Sequence, residues 1–355
     1  MHRTANPATP VRLRARPPIR KNIRRIMDIT HPRHGGDLAF ARARYGEMLD
    51  LSTGLCPYQY GPLSGHLRGL ERLPGTDDLG RLVATARRTY GVPADAALIA
   101  VPGSEMAIRL IPLVVPAGPV AIVGPTYGSH GEAWRNAGRD VVDVESLEAV
   151  PASARIVVVG NPNNPDGRIT APLPLASLAR QLGADGGLLI VDEAFADVAP
   201  EVSLAPHLGG LPALVLRSFG KFYGLPGLRL GFVAGAPTLV ERLRTLFGDW
   251  PVSVPAIDIG TAALADDDWR DRTLTRLKEE SAQLHDMLTG HGLAIKGGTD
   301  LFTLIEDDDA AALHEGLARR GIWTRAFPGK PTWLRVGLPG DGGLEKLDRT
   351  LGGIR

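Results

Sequence analysis

Residues 218–232 read SFGKFYGLPGLRLGF, and the place of the one lysine in that stretch decides how the rest of the chain is read. An apolar run, Leu214 to Leu216, leads in and a second, Leu230 to Ala234, follows. The spacing predicts two strands, with Lys221 at the exit of the first on a glycine-loosened loop. A lysine does covalent work when its surroundings lower its pKa enough to leave a free amine, which then holds a carbonyl cofactor as a Schiff base. Ser218 and Arg229 are the neighbours suited to hold a phosphate. A surface turn with incidental basic residues accounts for the same letters, so the remainder of the chain has to decide.

Four further strand exits precede this one. Leu98 to Val101 runs into Pro102-Gly103-Ser104-Glu105, which opens an apolar helix through Val115. A glycine-serine turn at a helix start aims free backbone amides at whatever anion lies above it, although a plain capped helix start has the same letters. Val120 to Val123 is followed by Gly124-Pro125-Thr126-Tyr127, and an aromatic just past a strand end suits either the core or the face of a flat ring. Arg155 to Gly160 leads into Asn161-Pro162-Asn163-Asn164-Pro165-Asp166-Gly167, where two prolines hold side-chain amides in place at low entropic cost. Gly187 to Val191 ends in Asp192-Glu193-Ala194-Phe195. A carboxylate at the end of a buried strand needs a cation or a donor, and a protonated pyridine nitrogen is such a partner.

Beyond the lysine, Pro237 to Phe247 reads as a helix, and Trp269 to His291 as a longer one with an apolar stripe of Leu274, Leu277, Leu284 and Leu288. From about Gly292 the pattern becomes strand, helix, strand, with strands near Leu301 to Ile305, Ile322 to Arg325 and Trp333 to Val336. Arg325 and Arg335 fall near strand edges there. The rigid guanidinium fork suits bidentate capture of carboxylate or phosphate, and a solvated basic face is the plainer account. Near the beginning, His34-Gly35-Gly36 lets a backbone approach an anion, ahead of a short helix over Leu38 to Tyr45 and a Pro- and Gly-rich loop, STGLCPYQYGP, at 52–62.

Composition narrows the class. The 355 residues are 44% hydrophobic, enough for a large core with one big domain and a smaller one. Forty Lys and Arg against 39 Asp and Glu leave a net charge of +1, which gives no case for nucleic acid or a membrane surface as partner. The single cysteine, Cys56, rules out an internal disulfide framework and fits a reducing cytosol. No window is apolar enough for a membrane span. Residues 1–26 hold eight basic residues and no acid, which reads as a disordered arm; Met27 is the expected true start, with the arm as upstream sequence.

Taken in order, the glycine-serine turn, the aromatic, N-P-N-N-P-D-G, D-E-A-F, S-F-G-K, R-L-G-F and L-R-V-G-L around Arg335 resemble the pyridoxal-phosphate enzymes of the aspartate aminotransferase fold. The wording K-F-Y-G-L-P-G-L-R-L-G, with H-G-G near the start, is most similar to the threonine-phosphate decarboxylases of cobalamin biosynthesis. The resemblance spans roughly residues 31 to 340. It implies an α/β architecture, a large domain with a mostly parallel sheet covered by helices plus a smaller carboxy-terminal α/β domain. The expected divisions are an amino-terminal substrate-contacting segment at 27–75, a cofactor domain at 76–265 and the small domain at 266–355.

The resemblance also assigns roles. Lys221 carries the cofactor and Asp192 meets its ring nitrogen. Gly103, Ser104, Glu105, Ser218 and Arg229 surround its phosphate, with Ser104 and Glu105 contributing mainly backbone amides; Tyr127 stacks on the ring and Asn164 donates to the phenolic oxygen. His34, Gly35, Asn164, Arg325 and Arg335 contact the substrate, Arg335 at its carboxylate. Two departures stand out: Cys56 replaces an asparagine usual in relatives, and Phe195 stands where many aminotransferases have tyrosine. No metal is expected, and a cytoplasmic homodimer is. The activity implied is decarboxylation of threonine O-3-phosphate. A histidinol-phosphate-type aminotransferase shares most of the motifs, and a non-catalytic cofactor-binding protein is a third reading.

Overall fold

A computed structural model describes residues 35–64 and 69–354. In chain order the strands are β1 (Leu49–Asp50), β2 (Ala97–Val101), β3 (Val120–Val123), β4 (Val141–Val144), β5 (Ile156–Gly160), β6 (Leu188–Asp192), β7 (Ala213–Ser218), β8 (Gly231–Gly235), β9 (Ala294–Thr299), β10 (Phe302–Glu306), β11 (Ile322–Trp323), β12 (Arg325–Ala326) and β13 (Trp333–Gly337). Seven of them form one sheet in the order β2-β8-β7-β6-β5-β3-β4. Its strands are parallel except β8, which runs against both neighbours. The central strands read as unbroken apolar runs because helices cover both faces: Ile156 to Val158, Leu188 to Val191 and Ala213 to Leu216 are all buried. Each Val, Leu or Ile among them stabilises the fold by about 1.5–3 kcal/mol relative to exposure.

The apolar helix opens at Ser104 and ends at Val114, and the helix Pro237–Phe247 has the expected bounds. Helix Asp267–Gly290 starts two residues earlier than its apolar stripe suggests, because Asp266 caps it through Trp269 N. A second, four-stranded antiparallel sheet has the order β12-β13-β10-β9. Strands β4 and β9 were not expected. β4 has two of its four residues exposed and β9 carries two glycines, so neither shows a clear apolar pattern.

Two local expectations are corrected. Lys221 sits in one helical turn, Phe219–Phe222, and not in an open loop. The expected strand Ile322 to Arg325 is broken at Thr324: Ile322 and Trp323 pair parallel with β1, whereas Arg325 and Ala326 join the small sheet. Arg325 is on the edge strand of that sheet, as expected, but Arg335 is on an inner strand.

The two sheets meet at glycines. A Cβ on Gly167 would lie 1.8 Å from Gly298 O, and one on Gly297 would lie 2.1 Å from Asp166 O, so the Asn161–Gly167 loop touches β9 backbone to backbone. Gly167 also has φ of +69°, a left-handed value that a side chain strains by about 1–3 kcal/mol. Gly167→Ala is therefore expected to lose at least about 2 kcal/mol of stability, measured by urea denaturation; an unchanged midpoint would show that the contact is not tight.

Candidate active site

Sheet topology gathers the candidates. β2, β3, β5, β6 and β7 all end at one edge of the sheet, and antiparallel β8 begins there. Open α/β sheets bind ligands outside the carboxyl ends of their strands. A cavity of about 710 Å³ lies at this edge and is lined by Gly103, Ser104, Glu105, Tyr127, Asn164, Asp192, Ser218, Lys221 and Arg229. It is closed from the small-sheet side by Arg325, Phe327 and Arg335, and from the amino-terminal side by Gly35, Thr53 and Gly54. Every expected site residue among those described thus faces one space. His34 lies outside the described residues.

One end of the cavity is built for an anion. Ser218 and Val101 both register with Gly231, which brings the β7 exit beside the start of the helix at Ser104. No side chain caps that helix, so its first amides face the cavity with the positive end of the helix dipole. A Cβ on Gly103 would come within 2.6 Å of the Arg229 guanidinium, and one on Gly231 within 2.7 Å of Ser104 N. The glycines let serine amides, serine hydroxyl and arginine converge. Glu105 directs its carboxylate to Arg109 Nε at 2.8 Å, which leaves its backbone amide as its contribution to the cup.

Asp192 forms the floor. Its Oδ1 accepts from Ala194 N at 3.1 Å, and His130 Nε2 lies 2.8 Å from its Oδ2, both side chains being buried. His130 was not singled out from sequence; it lies three residues beyond Tyr127 on the helix Gly128–Asn136, and its ring meets Tyr127 edge-on at 6.3 Å. Burial pushes the Tyr127 phenol up to about 12. The imidazole fixes the carboxyl group's orientation and leaves it available to a ring nitrogen above.

Lys221 opens onto the cavity and is otherwise enclosed. Burial, reinforced by the Arg335 charge and opposed by Asp192, pushes its amine down to about 8. Its Nζ lies 5.6 Å from the centroid of the Phe195 ring, which offers no hydroxyl. Its carbonyl accepts from Cys56 N at 2.9 Å. Cys56 itself is a packed, inert residue: burial raises its thiol to about 12, and its sulfur is occupied by Tyr58 O and Tyr58 N.

Arg335 donates to Asn164 Oδ1 at 2.5 Å and to Ser52 O at 2.9 Å, and its buried Nε has no hydrogen-bond partner among the described residues. Arg325 is its register partner on the neighbouring strand. Like charges opposite one another in a sheet are unfavourable, and burial together with Arg325 pushes Arg335 down to about 10. Such an arrangement gains from bound anions. Gly35 packs against the same region, since a Cβ there would overlap Ser52 O at 2.1 Å, while Gly36 N donates to Ser52 Oγ at 2.8 Å. No helix among the described residues is long and apolar enough to cross a membrane.

Comparison with known proteins extends these observations. Residues 67–354 match the family described as aminotransferase class I and II. The chain is 42% identical over 317 residues to a threonine-phosphate decarboxylase of Sinorhizobium sp, an alignment covering 87% of this chain and 93% of that one. It is 39% identical over 329 residues to a threonine-phosphate decarboxylase of Pseudomonas aeruginosa, covering 91% and 98%. Among solved structures, histidinol-phosphate aminotransferase from Sinorhizobium meliloti in complex with pyridoxal-5'-phosphate superposes with a TM-score of 0.77 over 93% of this chain and 96% of that one, at 21% identity. That likeness is one of fold.

In the cofactor-free protein, modification of Lys221 by an amine-selective reagent should follow a midpoint near pH 8. Because Arg335 lowers that value and Asp192 raises it, Arg335→Leu should move the midpoint up and Asp192→Asn should move it down, read by mass spectrometry of the labelled peptide. Equal midpoints in all three proteins would show that these charges do not reach the amine.

Proposed function

The chain belongs to the class I and II aminotransferase family, and within it we propose a threonine-phosphate decarboxylase, a pyridoxal-phosphate-dependent carboxy-lyase acting in cobalamin biosynthesis. The substrate is L-threonine O-3-phosphate, and the products are (R)-1-aminopropan-2-ol O-phosphate and carbon dioxide. Identity of 39–42% to two proteins of that name over about nine-tenths of the chain supports the reading. The observation in the site that carries it is the pairing of Arg325 with Arg335 at the cavity wall. Two guanidiniums side by side suit a substrate with two anionic groups, a carboxylate and a phosphate.

The residues present fit pyridoxal phosphate. Gly103, Ser104, Glu105, Ser218 and Arg229 would hold its phosphate, Asp192 its ring nitrogen, Asn164 its phenolic oxygen, Tyr127 its face and Lys221 its aldehyde carbon. When bound, that cofactor supplies an electron sink for the pair left as the bond to the carboxylate breaks.

The protein's own groups do the rest. Arg335 takes the substrate carboxylate through the N–H groups not engaged by Asn164 and Ser52. Arg325 and the backbone near Gly35 take the substrate phosphate. Gripped at both ends, the substrate is oriented so that the carboxylate bond is the one that breaks. Lys221 Nζ then delivers a proton to the α-carbon in place of the departed carbon dioxide, a transfer that suits an amine with a midpoint near working pH. His130 keeps Asp192 oriented throughout. A homodimer is part of this proposal, supported by the exposed Leu70, Leu73 and Trp250, and the cytosol is the compartment proposed.

A paired assay tests the reading. Cofactor-loaded enzyme given threonine phosphate is expected to release carbon dioxide and aminopropanol phosphate. Given histidinol phosphate and 2-oxoglutarate, it is expected to form no glutamate; glutamate as the only product would make it a transaminase. Lys221→Ala is expected to abolish turnover and covalent cofactor attachment, and persistence of the Schiff-base absorbance in that variant would overturn the assignment of Lys221.

A further inference from the structure

The wall between Lys221 and Arg335 is aromatic. Phe195 and Phe302 meet edge-on, with centroids 5.0 Å apart and planes at 78°. Lys221 Nζ lies 5.6 Å from the Phe195 centroid, and Arg335 Cζ lies 4.9 Å from the Phe302 centroid. The four side chains form a chain of contacts: amine, ring, ring, guanidinium. An aromatic face attracts a cation without engaging its N–H groups, so neither ring takes up a donor that a ligand could use. An acceptor in the same place would hold one of them and tilt it away from the cavity.

The pair is also fixed from outside. A Cβ on Gly54 would lie 2.8 Å from Phe302 Cδ1 and 2.9 Å from Phe195 Cε1. Gly54 has no positive φ, so its backbone conformation does not demand glycine; the two ring edges do. For Arg335, the hydrogen bonds to Asn164 and Ser52 set the rotation of the guanidinium. The Phe302 ring lies against that guanidinium, its centroid 4.9 Å from Arg335 Cζ.

We propose that Phe302 is a positioning residue for Arg335, and that the Phe195–Phe302 pair, wedged by Gly54, sets the separation between that guanidinium and the Lys221 amine. The proposal rests on the reading of Arg335 as the carboxylate site. Phe302 touches neither substrate nor cofactor in this account and acts through the arginine alone.

Phe302→Met keeps an apolar side chain of similar reach and removes the face. In the loaded enzyme it is expected to raise KM for threonine phosphate about tenfold while kcat stays within about threefold, the signature of lost ground-state grip. In the cofactor-free protein it is expected to raise the pH midpoint of Lys221 modification, because Arg335 is then held less closely. Ile305→Val, an equally buried change on the same strand, should lower thermal stability and move neither quantity. Gly54→Ala should reproduce the KM and midpoint shifts by displacing both rings, and it carries the test if Phe302→Met fails to fold. A fall in kcat at unchanged KM, an unmoved midpoint, or equal effects of Phe302→Met and Ile305→Val would overturn the proposal. If wild type turns over histidinol phosphate and not threonine phosphate, the functional reading falls, and the Lys221 midpoint alone decides the role of Phe302.

Discussion

Val101, Gly231 and Ser218 share one line of strand register, and β8 runs against the strands on either side of it. That reversal is the constraint on which the site depends. A chain leaving β7 at Ser218 has to turn above the sheet edge and come back down at Gly231, so residues 219–230 are confined to the rim where the parallel strands end. Arg229 accepts a left-handed φ of +53° to make the return. Gly231 has no room for a side chain between Ser104 N and Arg217 O. The backbone that carries the lysine, the phosphate arginine and the helix start is therefore brought to one rim by strand register.

Charge is distributed differently above and below that rim. Beneath it, Arg217 is buried and donates to Glu193 at 3.0 Å and to Asp197 at 2.7 Å, while its guanidinium lies 4.3 Å from the Tyr90 centroid. Glu193 is further held by Ser203 Oγ and Leu204 N, both at 2.6 Å. A buried cation held this way is committed to structure, since losing one partner would leave an uncompensated charge. Along the rim, Lys221 and Arg335 are enclosed with no carboxylate paired to them among the described residues, and burial lowers both pKa values. The same physical cost that is met internally for Arg217 is left there for a ligand to meet.

The sequence is most legible where one residue's role is local. A polar residue at the end of an apolar run, as at Asp192 or Ser218, announces itself, and so does a glycine before a helix, as at Gly103. What could not be read depends on partners brought together by tertiary packing. His130 is an ordinary helix residue until β6 places Asp192 against it. Phe302 is one apolar letter in an apolar strand, with nothing to mark that its face lies under Arg335. The break at Thr324 was equally silent, because Ile322 and Arg325 suit one strand and only the presence of β1 draws the first pair away. The letters 52–62 were recognisable as a loop, but not what that loop touches.

Those contacts bear on how the protein assembles. Cys56 N and Tyr60 N donate to the carbonyls of Lys221 and Tyr223 at 2.9 and 3.0 Å. Tyr58 between them is pinned by Glu280 at 2.5 Å and by the Arg276 guanidinium 3.4 Å from its ring. Cys56 and Lys221 stand nearly half the chain apart, so their contact closes a long loop and is entropically expensive to form early. Without that contact the carbonyls of Lys221 and Tyr223 lack these donors. Only when an early segment of the chain settles between that turn and the helix Asp267–Gly290 is the turn complete. The lysine turn is thus completed by residues from the other end of the cofactor-binding half of the chain, so its geometry depends on how that early loop docks.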